Sequence, residues 1–192
     1  MPGPLSGWRS RVDLPETIRT DRLELRPFSL SDGPAVFAYS NDSDWAEYQQ
    51  TTPSSEREAE RVVADMLLRD WTDQPAWAIT RSGGVVGLVS LVFSAEHRIV
   101  LLGYGIHKDH RGLGLTGEAI QAVLTEAFTA YEQLTKVTVN TDARNHSSSR
   151  LLEKLGFTHE GTLRSGGVTA KGKLVDGAIY GLLRSEWRVR AR

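Results

Sequence analysis

The chain has 192 residues, enough for one domain that buries its own core without disulfides or metal. Its 40% hydrophobic and 24% charged content are those of an ordinary soluble globular protein, and a net charge of −1 supplies no global field for nucleic acid. Cysteine is absent, which excludes a disulfide scaffold, a thiol nucleophile and Cys-ligated zinc.

Residues 1–19 hold Pro2, Pro4 and Pro15 and read as an irregular arm, leaving 20–192 as a single domain. The first residues lack the apolar core of a secretory signal, and no apolar run approaches the roughly 20 residues of a membrane span. A cytoplasmic protein with no membrane partner is the expectation. Arg22 to Arg26 alternate polar and apolar, a strand with one wet face that Pro27 ends. Ser31 and Asp32 open a short helix reaching Tyr39, and the polar, aromatic stretch 41–53 is a loop or short helical turn. Ser54 or Ser55 starts the next helix, with Glu58 set for a capping box. Ala59, Val62, Val63, Met66 and Leu67 form its apolar stripe.

A meander of three antiparallel strands follows: 74–80, a tight turn at Ser82-Gly83-Gly84, 85–93, a polar connection, and Ile99–Ile106. Gly87 inside the second strand marks a bulge or a close backbone approach. After the turn His107 to His110 come Arg111, Gly112, Gly114 and Gly117, and then a helix whose Ala119, Ile120, Val123, Leu124, Ala127, Phe128 and Tyr131 share one face. A glycine-rich turn entering a helix N-terminus is an anion site, because unpaired N–H groups and the macrodipole converge there and glycine admits close approach. The spacing excludes GxxxxGK[ST]. Gly112, Gly114 and Gly117 formally read as G-x-G-x-x-G, which leaves a dinucleotide site as a competitor, although no βαβ partner follows. The rest reads as a strand at 136–140, a loop, a helix at 148–155 stopped by Gly156, a strand at 157–164, a loop from Gly166-Gly167 to Lys173, and a last strand from Leu174 to Trp187. The total is about seven strands and four helices, an α+β fold with a mixed sheet.

Arg111-Gly112-Leu113-Gly114-Leu115-Thr116 resembles the acyl-CoA loop R/Q-x-x-G-x-G/A of the GNAT superfamily of N-acetyltransferases. The flanks are similar to its ribosomal-protein N-acetyltransferase branch. They comprise Thr-Asp-Arg-Leu-Glu-Leu-Arg-Pro at 20–27, Gly103-Tyr104, Glu118-Ala119, the N-x-x-S-x-x-x-x-E-K-x-G-F block at 145–157, and Glu160-Gly161 with Arg164. The resemblance implies the splayed GNAT sheet, with Ile99–Ile106 and the strand from Lys136 parting to admit the pantetheine arm of acetyl-CoA, used as co-substrate with no metal. It implies pantetheine on the backbone of Ile106 and His107, pyrophosphate among Arg111, Gly112, Leu113, Gly114, Leu115 and Thr116, and further contacts from Asn145, Arg150 and Lys154. Ser148 matches a family serine facing the departing sulfur. The tyrosine that many acetyltransferases place a few residues later is replaced here by Leu151 and Leu152.

A carboxylate base is missing before Gly103-Tyr104, where Leu101 stands; Glu47, Asp142, Glu96, His97, His107 and His110 are the titratable groups left to consider. Ser148, Asn145 and Glu47 are the catalytic candidates. The expected reaction is direct attack on acetyl-CoA by a primary amine, either a protein N-terminus or a small-molecule amine. A carrier-protein or aminoacyl-tRNA donor, a non-catalytic CoA-binding module, and a homodimer stay open. The basic tail Arg184, Arg188, Arg190 and Arg192 is a solvated end or a contact for an acidic carrier or RNA.

Overall fold

A computed structural model describes residues 14–49, 52–94 and 96–187. Among the described residues one mixed sheet runs in the order β1-β2-β3-β4-β5-β6-β8-β7. Its strands are β1 (Ile18–Arg19), β2 (Glu24–Pro27), β3 (Ala76–Arg81), β4 (Gly84–Ser94), β5 (Ile99–Ile106), β6 (Lys136–Asp142), β7 (Thr158–Val168) and β8 (Leu174–Leu183). Five α-helices accompany them: α1 (Gly33–Ser40), α2 (Ser43–Tyr48), α3 (Glu56–Leu67), α4 (Leu115–Ala130) and α5 (His146–Leu155). The expected α+β class holds, with one strand and one helix more than the sequence suggested. No helix of the described residues is long and apolar enough to cross a membrane.

Strand alternation sorts the core into two layers. Trp77, Ile79, Val89, Leu91, Val100 and Leu102 point to the face covered by α4, whose whole predicted stripe from Ala119 to Tyr131 is buried there. Ala76 and Ala78 point the other way, against Val36 and Tyr39 of α1 and Ala59 and Val63 of α3. The α3 stripe is narrower than expected, since Leu67 is exposed.

Several boundaries differ from the sequence reading, each through a non-local partner. Residues 14–19, assigned to the arm, join the sheet and core: Ile18 pairs with Leu25, Leu14 is buried, and the indoles of Trp71 and Trp77 donate to the carbonyls of Leu14 and Pro15. The rest of the arm lies outside the described residues. Pro27 continues β2 opposite Trp77 instead of ending it before that point. The first cap is Ser29, in a capping box with Asp32 around a 3-10 turn, and not Ser31. At α3, Ser55 accepts from Glu58 N, while the Glu58 carboxylate returns to Ser54 N and Oγ. Gly166 and Gly167 belong to β7, which is bulged between Leu163 and Gly167; Asp176 accepts from Ser165 N at 2.8 Å to hold the bulge. Strand β8 ends at Leu183, short of Trp187.

Gly87 is both a bulge and a close approach. Pairing slips between Ile79 and Thr80 opposite it, and a Cβ built there would lie 2.3 Å from the Gly105 carbonyl oxygen. The β3–β4 turn needs left-handed backbone at Ser82 (φ 50°) and Gly83 (φ 83°).

Arg184, read with the basic tail, is a structural residue. Its guanidinium donates to the carbonyls of Leu134, Phe128 and Tyr131 and lies over the Phe128 ring, tying the end of α4 to β8. Arg188, Arg190 and Arg192 lie outside the described residues.

Candidate active site

The site starts where the sheet comes apart. Strands β5 and β6 are parallel, and their register covers only Ile99–Lys136, Val100–Val137 and Leu101–Thr138. Beyond Leu101 they diverge: β5 stays paired with β4 through Ile106, while β6 stays with β8 through Asp142. Each strand is fully engaged on its outer side, so the fork opens at their shared edge. A cleft of about 370 Å³ lies there, lined by Gly103, Tyr104, Asn140, Asn145 and Ser148 among others.

The glycine-rich loop leads from the end of β5 into α4. Gly112 (φ 75°) and Gly114 (φ 77°) are left-handed, and Gly114 caps α4 with no side-chain hydrogen bond. A Cβ built on Gly112 would meet nothing within 4 Å, so the cradle is open to an approaching anion. Leu115 is buried beneath it and offers only backbone, and Thr116 is partly exposed in the first turn. Gly117 packs α5 against α4, its Cβ position 3.4 Å from Leu151 Cδ1. The loop is held from behind. Arg22 donates to the Leu113 carbonyl (2.9 Å) and to Glu118 Oε2 (2.7 Å), and Thr20 donates to Glu118 Oε1 (2.5 Å). Burial pushes the Glu118 carboxyl up, but these bonds outweigh it and hold it below the usual range.

The expected cofactor residues divide. Arg111 pairs with Asp42 at 2.6 Å, so the loop's arginine is tied to the α1–α2 junction. The His107 N–H donates to Val86 and its carbonyl accepts from His110, because β5 is still paired with β4 where the 3-10 turn begins. Arg150 is exposed on α5, as is Lys154 four residues on.

Ser148 and Asn145 come together at the head of α5. Asn145 is its N-cap, accepting from Ser148 N at 3.0 Å, and Ser148 Oγ lies 2.5 Å from Tyr104 Oη. Burial pushes the Tyr104 phenol up to about 12, against a smaller downward pull from the Ser148 hydrogen bond. Glu47 stands apart from them. It binds Arg144 Nη1 at 2.9 Å, and Arg144 forks onto Asp142 at 2.6 and 3.0 Å. Burial raises the Asp142 carboxyl, but Arg144 outweighs that and holds it below the usual range. His97 is remote from the fork, in the β4–β5 turn at the closed end, stacked on Tyr131 and 3.2 Å from Asp73.

Sequence reasoning did not single out Tyr104, Arg144 or Arg22 for these contacts. Tyr104 carried two signals: it stands in the Gly103-Tyr104 motif, and alternation puts it on the Leu102 and Ile106 face, towards α4. Arg144 carried none: a lone arginine in a turn does not announce a carboxylate pair.

A mixed sheet that forks between two parallel strands, with hydroxyls in the cleft and a glycine-rich turn leading from one strand into a helix, is the architecture of an acyltransferase. The GNAT acetyltransferase domain model matches residues 22–158, and the chain belongs to that family and is an N-acetyltransferase. It is 28% identical to N-acetyltransferase p20 of Bacillus licheniformis, itself uncharacterised, over 90% of this chain and 98% of that one. It is 31% identical to the likewise uncharacterised N-acetyltransferase YoaA of Bacillus subtilis (strain 168), over 77% of this chain and 85% of the relative. In fold it is similar to Mycobacterium smegmatis RimJ in complex with CoA-disulfide. The TM-score is 0.78 at 20% identity, over 90% of this chain and 89% of that one.

Proposed function

We propose that acetyl-CoA is the donor and that a primary amine, either a protein N-terminus or a small-molecule amine, attacks its thioester directly in the β5–β6 fork. The observation that supports this reading is the cleft bearing Ser148 and Asn145 in the β5–β6 fork, with the open, left-handed backbone at Gly112 and Gly114 leading into α4, which Gly117 packs against α5. At about 370 Å³ the cleft suits a thioester end and an amine. The nucleotide half then belongs outside, on the loop, with Arg111 exchanging Asp42 for phosphate and with Arg150 and Lys154 nearby on α5. The coenzyme supplies the activated acetyl group; the protein positions it beside the amine and excludes competing geometries.

The base argues for the acceptor class. Asp142, held low by Arg144, is a poor proton acceptor, and Glu47 is engaged by the same arginine. An α-amine, with a pKa of about 7.7–8, is partly neutral near pH 7, whereas a lysine amine at about 10.4 is not. The site therefore favours a low-pKa amine and needs no strong base. A cytoplasmic location stays part of this reading and rests on composition alone.

Calorimetric titration with acetyl-CoA, beside Arg111→Glu, tests the donor; release of thiol against a panel of peptides and amines tests the acceptor. Micromolar binding lost in the variant supports the reading. An intact protein that ignores acetyl-CoA would turn the search to carrier-protein or aminoacyl-tRNA donors.

A further inference from the structure

Tyr104 and Ser148 stand on opposite arms of the fork. Strand β5 carries Tyr104 three residues beyond Leu101, where its pairing with β6 stops, and Ser148 comes from the first turn of the helix that follows β6. Their oxygens meet at 2.5 Å, across a gap that sheet hydrogen bonds no longer bridge. Both partners are fixed independently. The Tyr104 ring packs against the α4-side core, and Asn145 Oδ1 anchors the Ser148 backbone at 3.0 Å.

Acidity decides the direction of the bond. Even pushed up to about 12 by burial, the Tyr104 phenol is a stronger acid than an alkyl hydroxyl, which makes the phenol the better donor and the serine oxygen the acceptor. Among the described residues Ser148 Oγ makes no other hydrogen bond. The serine's own proton is thus turned away from Tyr104, and both side chains line the cleft.

We propose that Tyr104 is a positioning residue for acetyl transfer: its phenol donates to Ser148 Oγ and so aims the serine's proton at the sulfur that leaves the thioester. The proposal rests on the reading of acetyl-CoA as donor. In the step, the amine nitrogen bonds to the acetyl carbon, and the carbon–sulfur bond breaks with its electron pair on sulfur. The proton shed by the nitrogen returns through solvent to neutralise the thiolate. Neither hydroxyl gives up its proton, since both are weaker acids than a thiol of about 8.5. The couple acts by hydrogen bonding to charge that develops on sulfur. With Leu151 and Leu152 in place of the family's tyrosine, the phenol comes instead from a strand residue 44 positions before Ser148, and it acts without releasing its proton.

The test uses coenzyme A bound to the intact protein. Its thiol is titrated by ultraviolet thiolate absorbance in wild type, Tyr104→Phe and Ser148→Ala, and kcat and KM are measured with an amine acceptor. The bound thiol should titrate below free coenzyme A in wild type and return towards the free value in both variants. Tyr104→Phe should lower kcat about 10-fold with KM for acetyl-CoA unchanged, and the double variant should be no slower than Ser148→Ala. An unchanged thiol titration in Tyr104→Phe, or rate losses that multiply in the double variant, would overturn the proposal. Coenzyme A failing to bind wild type is a separate outcome: it removes the donor reading, and this proposal with it. Ser148→Ala, a small truncation at a helix cap, keeps the question open to refutation if the phenylalanine variant does not fold.

Discussion

Arg22 shows how a residue can shape a loop from behind. It holds the Leu113 carbonyl and the Glu118 carboxylate together, and with them the curvature of the glycine-rich loop proposed to take the coenzyme's phosphates. Arg22→Ala should lower acetyl-CoA affinity about 3- to 10-fold, the worth of a charged hydrogen bond that is partly exposed. Calorimetry measures it, and a circular-dichroism melt checks that the fold survives. Both ends of this contact were visible as motifs in the sequence, the Thr-Asp-Arg opening and Glu118-Ala119, but not the bond between them, which joins residues 96 positions apart. Asn145 illustrates the reverse. Its helix-capping chemistry is local, joining its side chain to a backbone N–H three residues on. Glu47 was chosen from polarity alone, and its engagement with Arg144 depends on a loop nearly a hundred residues away.

Among elements, α2 is the connection between the halves of the site. Asp42, just before it, pairs with Arg111 of the cofactor loop, and Glu47 pairs with Arg144 beside the cleft. At its far end the Gln49 carbonyl accepts from Ala170 N, in the β7–β8 turn. The outer edge of the Trp45 ring lies against β5: a Cβ built at Gly105 would be 1.9 Å from its indole. Gly105→Ala must therefore push α2 outward, and the acceptor's KM should rise several-fold. Adding Trp45→Ala should restore much of the loss, and steady-state kinetics on the single and double variants decides it. Sequence reading left this stretch between loop and helical turn, because six residues are too few for periodicity to register. The long stripe of α4 was read correctly for the opposite reason. At the other end of that helix, Arg184→Ala would take a charged donor from three carbonyls, of which Tyr131 still accepts from Leu134 N. A loss of about 1–3 kcal/mol is expected, measurable by urea titration.

At the scale of the molecule, the pH response follows from carboxylates held below their usual range. Asp32, Glu118 and Asp142 are each pushed up by burial and pulled further down by Arg26, by Thr20 with Arg22, and by Arg144 respectively. Because their folded pKa values lie below the unfolded ones, their contribution is complete above about pH 4–5 and is lost as pH falls through the folded values. The melting temperature should be flat from neutral pH to about 5 and drop below 4, with a shallower acid drop in Asp142→Asn. With acetyl-CoA as the proposed donor, its addition should raise the melting temperature with its concentration, as expected of a ligand that binds only the folded state.

The amino-acid sequence by itself determined what depends on neighbours along the chain: the α4 stripe, the β3–β4–β5 meander, the left-handed turn at Gly83, the Gly156 stop and the open cradle at Gly112–Gly114. These follow from periodicity, backbone freedom and capping, each settled within a few residues. The tertiary structure alone decided that β5 and β6 part beyond Leu101, that Tyr104 meets Ser148 across the gap, and that Arg111, Arg144 and Arg22 already have acidic partners. Those contacts join segments far apart in the chain. Their geometry is fixed by the packing of helices on two faces of one sheet, and no local pattern encodes it.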